Sequence, residues 1–114
     1  MGAYTTRIAW ETLRSIDSAT FTGSYQALGT PLAHASYICK LVNNSTMLVT
    51  ISIDGTTDVD IAPANSFWLY DESKNLSGIG PFVTLPQGTQ FYVKGSAGTG
   101  SVYLVSQYII NAGN

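Results

Sequence analysis

Apolar and polar positions alternate with period two along most of the chain, and short runs of Gly, Pro, Asn and Asp separate the alternating stretches. Residues 47–71 show this most plainly. Val49, Ile51 and Ile53 alternate with Leu48, Thr50 and Ser52, which predicts a strand with one apolar face. Asp54-Gly55 supplies a turn, because Gly tolerates positive φ and Asp bonds its own backbone nearby. Val59 and Ile61 predict a short second strand, with Asp58 and Asp60 facing the other way. Pro63-Ala64-Asn65 breaks the chain again. Phe67-Trp68-Leu69-Tyr70 is apolar on both faces, which predicts a central strand and makes this stretch the expected centre of the fold.

The remaining chain follows the same rule. In residues 35–42, Tyr37, Cys39 and Leu41 oppose Ile38, Lys40 and Val42, and residues 43–46 read as a polar turn. Residues 19–23 and 24–28 are two short β-like segments, closed by Gly29-Thr30-Pro31. Residues 72–81 form a long loop before a short strand at 82–85. Phe91 and Val93 oppose Gln90, Tyr92 and Lys94. The Gly-rich residues 95–100 lack the Lys and the following helix of a phosphate loop, so they read as a hairpin connection. Residues 101–110 close the domain, with Val102, Leu104, Ser106 and Tyr108 opposed to Tyr103, Val105, Gln107 and Ile109. Residues 1–18 fit an extended arm entering a first strand; a helix with Ala9, Leu13 and Ile16 on one side is the less favoured alternative. Eight or nine short strands without a helix predict an all-β fold, a single small β-sandwich of jelly-roll or immunoglobulin-like type. Its expected parts are the arm and first strand at 1–18, the sandwich at 19–110 and a tail at 111–114. The alternation leaves the strand order open.

Composition changes the picture in one respect. Only 11% of the 114 residues are charged and 45% are apolar, so the surface is built from Ser, Thr, Asn, Gln and Gly. Such a surface suits a protein held in an assembly better than a free, concentrated monomer. The net charge is −2 and the five basic residues are scattered, which excludes an electrostatic footprint for nucleic acid or an anionic membrane. No secretory signal and no transmembrane run is expected. Thr6 completes a short myristoylation pattern after Met1-Gly2, but nothing polybasic follows to give a second anchor.

Candidate chemistry is sparse. Cys39 is the only cysteine, which excludes an internal disulfide and predicts a buried, inert thiol. With one His beside it, a Cys/His zinc site within the chain is excluded. His34 lies in no catalytic motif and reads as a surface or edge residue. Asp54, Asp58 and Asp60 offer oxygen ligands for calcium, but their spacing departs from an EF-hand loop and turn chemistry accounts for Asp54. Asn43, Asn44 and Asn75 begin N-glycosylation patterns, which Asn-rich turns also produce by chance. Trp68, Tyr70, Tyr92 and Tyr103 suggest an aromatic platform for a sugar ring, set against ordinary cross-strand packing. No catalytic, cofactor-binding or metal-binding residue is assigned. The candidate partner-binding residues are Ile8, Trp10 and Leu13 in the N-terminal arm. Trp10 has two readings, a lid on the domain's own core or an anchor into a neighbouring subunit.

Several phrases of the chain carry a resemblance. They are Ser24-Tyr25-Gln26-Ala27-Leu28-Gly29-Thr30-Pro31-Leu32, Asn43-Asn44-Ser45-Thr46, Ile51-Ser52-Ile53-Asp54-Gly55-Thr56-Thr57-Asp58 and Pro63-Ala64-Asn65-Ser66-Phe67, with Pro86-Gln87-Gly88-Thr89-Gln90-Phe91-Tyr92-Val93-Lys94 and Gly100-Ser101-Val102-Tyr103. Over residues 19–110 the run resembles small virion proteins of tailed bacteriophages. The matching phrases are turns and strands, so the resemblance carries architecture and no functional residue. It implies a non-enzymatic structural part of a phage particle, assembled in the bacterial cytoplasm and resident in the virion. A capsid decoration protein, bound in many copies to the major capsid protein or other virion proteins, is the first expectation, with homo-oligomers favoured by virion symmetry. A neck, tail or fibre-associated ring component is the alternative. A carbohydrate-binding β-sandwich for host attachment is a third reading, from another class.

Overall fold

The longest strand closes the chain, and the rest is hung on it. The computed structural model describes residues 6–71 and 84–111. Among these it forms nine strands: β1 (Thr6–Trp10), β2 (Arg14–Asp17), β3 (Gln26–Ala27), β4 (Ile38–Ser45), β5 (Val49–Ser52), β6 (Asp60–Ala62), β7 (Ser66–Asp71), β8 (Tyr92–Lys94) and β9 (Gly100–Asn111). All pair antiparallel in two sheets. The first runs β1-β9-β4-β7, with β2 also on β9, and the second runs β3-β8-β5-β6. The chain is therefore all-β and folds as a small β-sandwich.

The pairing resolves the strand order. Both β1 and β2 lie along β9, so they act as one interrupted strand. The pairs then nest from the outside in: β1/β2 with β9, β3 with β8, β4 with β7, and β5 with β6. Two further ladders, β4 with β9 and β5 with β8, join these hairpin-like pairs into two four-layered sheets of the jelly-roll order. The immunoglobulin-like option falls away.

The core lies between the sheets. Cys39, Leu41, Val102 and Leu104 of the first sheet meet Val49, Ile51, Phe91 and Val93 of the second, and each is at most 1% exposed. The alternations read for β4, β8 and β9 therefore face as expected. Asn43 is also completely buried. Its amide donates to the carbonyls of Met47, Ala62 and Pro63 at 2.8, 2.8 and 3.1 Å, and its Oδ1 accepts from Ser45, so a buried polar group is fully partnered. Residues 43–45, expected as a turn, instead complete β4.

Several expectations change. β7 is not central: it ends the hydrogen-bonded order of the first sheet among the described residues. The organising strands are β9 and β4, not residues 47–71. Val59 and Ile61 are about half exposed, whereas the small Ala62 packs inward, so this strand presents the opposite face from the one expected. Ile53 leaves β5 and is 51% exposed. Residues 19–23 hold no strand; a short 3-10 turn at Ser18–Thr20, capped by the Asp17 side chain, leads to the buried Phe21. Residues 6–10 and 14–17 are strands, and no helix forms among the described N-terminal residues. The loop at 72–81, the first half of the strand at 82–85, the pattern at Asn75 and residues 112–114 lie outside the described residues. Leu85 makes an isolated bridge to Ser36.

Candidate functional site

Between β1 and β2 the ladder to β9 slips by one. Trp10 faces Gln107 and Arg14 faces Leu104, so four steps on one strand match three on the other. That is a β-bulge, which re-aims side chains. The Glu11 amide still donates to the Ser106 carbonyl at 3.0 Å, and its carboxylate turns inward to 4% exposure. There it accepts from Arg14 Nη2 at 2.8 Å, from the amides of Ala33 and His34 at 3.2 and 2.7 Å, and meets His34 Nδ1 at 2.8 Å. Burial pushes the Glu11 carboxyl up, but the bonds from His34, Arg14 and the two amides outweigh it and hold the group below its ordinary value. Arg14 is as well tied, with Nε on the Thr30 carbonyl at 2.7 Å and Nη2 on the Pro31 carbonyl at 2.9 Å. Gly29 must be glycine here, since its φ is +69° and a Cβ would fall 2.8 Å or less from Arg14 Cβ and Cγ.

The His34 ring stacks flat on Tyr108, with centroids 3.7 Å apart and planes 2° from parallel. These groups floor a cleft of about 550 Å³ whose walls include Trp10, Leu13 and Thr30. The Glu11 carboxylate and the Arg14 guanidinium are engaged from both sides, so the floor works as a clamp joining the N-terminal strand to residues 29–34. His34, read as an edge residue, is half exposed at the margin. Two cues to the clamp were present in the chain: opposite charges three residues apart where charge is scarce, and a lone His.

The outward side of the first sheet is the second feature. Since Cys39, Leu41 and Asn43 point inward, their neighbours Ile38, Lys40 and Val42 point out. The register builds rows across the sheet. Phe67, Val42, Tyr103 and Ser15 form one; Leu69, Lys40 and Val105 the next; Asp71, Ile38, Gln107 and Trp10 a third; Ile109 and Ile8 a fourth; and beyond the first lies a polar row of Asn44, Ser101 and Asp17. Antiparallel sheets normally turn a polar side to water. Here the outward positions are mostly apolar, with Trp10, Phe67 and Leu69 exposed by 62%, 58% and 49%. Of the candidate partner-binding residues, Ile8 and Trp10 belong to this array, while Leu13 projects from the bulge beside it and is 56% exposed. Trp10 is thus no lid on the core. A smaller exposed set, Leu48, Ile53, Val59 and Ile61, lies at the β5–β6 end of the other sheet.

The other candidates separate. Asp54 accepts from the Thr56 and Thr57 amides and from Ser52, which lowers its pKa as a turn-forming carboxylate. Asp58 accepts from the Tyr25 hydroxyl and pairs with Lys94, which also lowers its pKa, and Asp60 accepts from Trp68 Nε1. Among the described residues no three His, Cys, Asp or Glu side chains converge to hold a metal ion. Trp68 and Tyr70 pack against the core, Tyr103 faces outward and Tyr92 stands on the second sheet, so the four aromatics make no common platform. Comparison of the chain with protein-family models, curated proteins and solved structures gave no match.

Proposed function

We propose that this chain is a non-enzymatic structural protein of a tailed-bacteriophage particle, present in many copies on the outside of the head, where it bridges neighbouring capsid subunits. The observation that carries the reading is the outward face of the first sheet. It is a largely apolar array on a chain with 11% charged residues, and contiguous exposed apolar surface of that size marks sites of protein–protein contact. The sequence resemblance supplies the virion. The jelly roll adds support by analogy alone, since viral capsid domains use it, as do lectins. Binding to the assembled head and not to its dissociated subunits would stabilise the particle by mass action.

Quantitative mass spectrometry of particles from the phage that encodes the chain, counted against the major capsid protein, tests this. Hundreds of copies are expected. A dozen or so would move the protein to a neck or tail ring, and none would end the virion reading. Removing residues 1–14 is a poor test of attachment, because it deletes Glu11 and Arg14 and opens the clamp. Trp10→Ser and Phe67→Ser leave the clamp in place; both are expected to lose the particle while still unfolding in one cooperative thermal transition.

A further inference from the structure

We infer that the outward face of the first sheet seats a second copy of this chain, sheet against sheet, so that the unit entering the assembly is a dimer. This rests on the reading of that face as an interface and names its occupant. Three observations favour a second copy.

The first is area. Trp10, 62% exposed, offers roughly 150 Å². With Phe67, Leu69 and the half-covered side chains between them, the face presents roughly 700 Å², close to the 800 Å² or so that one partner contributes to a standard interface. The face is therefore filled by one partner of its own size. The second is charge. This side of the sheet holds Lys40 near its middle with Asp71 and Asp17 at its margins, charges of both signs, so two copies do not meet as fields of one sign. The Lys40 stem can lie along the apolar surface while its ammonium reaches the rim. The third is shape. Four neighbouring strands carry outward side chains in regular rows, and the chain already packs one such sheet on another through its core. A two-fold axis lying between the faces repeats that packing, at a spacing of about 10 Å, and leaves neither copy's first-sheet face uncovered.

The test is sedimentation equilibrium of the purified full chain from roughly 1 to 100 μM, a range that brackets a weak-to-moderate dimer. A dimer is expected within this range. Phe67→Lys on β7 and Trp10→Ser at the opposite edge are each expected to raise the dissociation constant about a hundredfold, because large aromatic side chains are among the residues that dominate interface energies and Phe67→Lys also adds an unpaired charge. Circular dichroism melts confirm that each variant folds; the two residues lie on different strands, so either one alone carries the test. A chain that stays monomeric throughout, or a dimer that neither substitution weakens, overturns the inference. If the monomer nevertheless binds particles, and Phe67→Lys abolishes that binding, the occupant is a capsid protein. The inference then fails while the proposed function stands.

Discussion

Replacing Glu11 by Gln asks whether the bulge clamp holds the N-terminal strand. Gln keeps the shape and loses the charge and one acceptor. Glu11 accepts four hydrogen bonds, two on each carboxylate oxygen. Turned toward Arg14, the new NH2 meets two donors, Arg14 Nη2 and the Ala33 amide; turned toward His34, it meets the backbone amide as a donor, while the imidazole can offer Nδ1 as an acceptor. At least one nearly buried contact is lost either way, and Arg14 loses its counter-ion. Breaking a buried pair costs about 3–5 kcal/mol, but Arg14 keeps the Thr30 and Pro31 carbonyls, which places the expected cost at the lower end, about 3 kcal/mol. That is a large part of a domain's typical 5–15 kcal/mol.

Urea unfolding at neutral pH measures it, with Arg14→Met and the double variant closing a cycle. The coupling between the two positions should be about 1.5 kcal/mol or more. A single-variant cost under about 1 kcal/mol with coupling near zero would show that the β9 ladder alone positions the strand. The pH dependence is an independent check. Because the folded Glu11 carboxyl titrates below its ordinary 4.5, its stabilisation is fully present above that value and is lost as pH falls through the lower folded pKa. The gap between wild type and Glu11→Gln should therefore stay constant at neutral pH and narrow below 4.5. A gap that widened in acid would refute the assignment.

Four other outcomes follow from the geometry. Asn43→Leu takes the donor from three carbonyls and should cost more than about 3 kcal/mol in the same assay. Gly29→Ala forces a Cβ against Arg14 at positive φ and should cost more than about 2 kcal/mol, whereas Gly23→Ala, with φ +88° but open space around it, should cost about 1 kcal/mol of strain alone. Tyr37→Phe should be neutral or stabilise by about 1 kcal/mol, since the Tyr37 hydroxyl is buried with no partner among the described residues; a marked loss in urea unfolding would reveal one. Cys39 should resist a thiol reagent in the native protein and react fully in urea, because burial pushes its thiol up to about 12; stoichiometric labelling without denaturant would contradict its place in the core.

Where one face of a strand is apolar and the other polar, the sequence was enough. The stretch leading through β8 is of this kind, and Phe91 and Val93 fall where period two puts them. Alternation carries no sign when both faces offer plausible residues, because a one-residue slip exchanges them. Val59 and Ile61 were larger and more apolar than Ala62, yet Ala62 is the one inside, next to the Asn43 side chain that binds its carbonyl. The clamp was illegible for another reason. Glu11, Arg14 and His34 meet only because one extra residue in the ladder turns Glu11 inward, and a bulge leaves no mark on local periodicity.

β7 joins the fold to the function. A strand apolar on both sides has two physical explanations: it runs through the middle of its own protein, or it lies against someone else's. The sequence cannot choose, since both demand the same residues. The register does. Trp68 and Tyr70 pack on the core, while Phe67 and Leu69 continue a surface that crosses β4 and β9 to Ile8 and Trp10 on the far edge. One exposed Phe would need no explanation. Exposed apolar groups that keep register across four strands do, because alternation of the inner face places no demand on the outer one. A monomer would gain solubility from Thr or Lys at each of these positions and lose nothing from its core. Their apolar character is what the proposed interface requires of them.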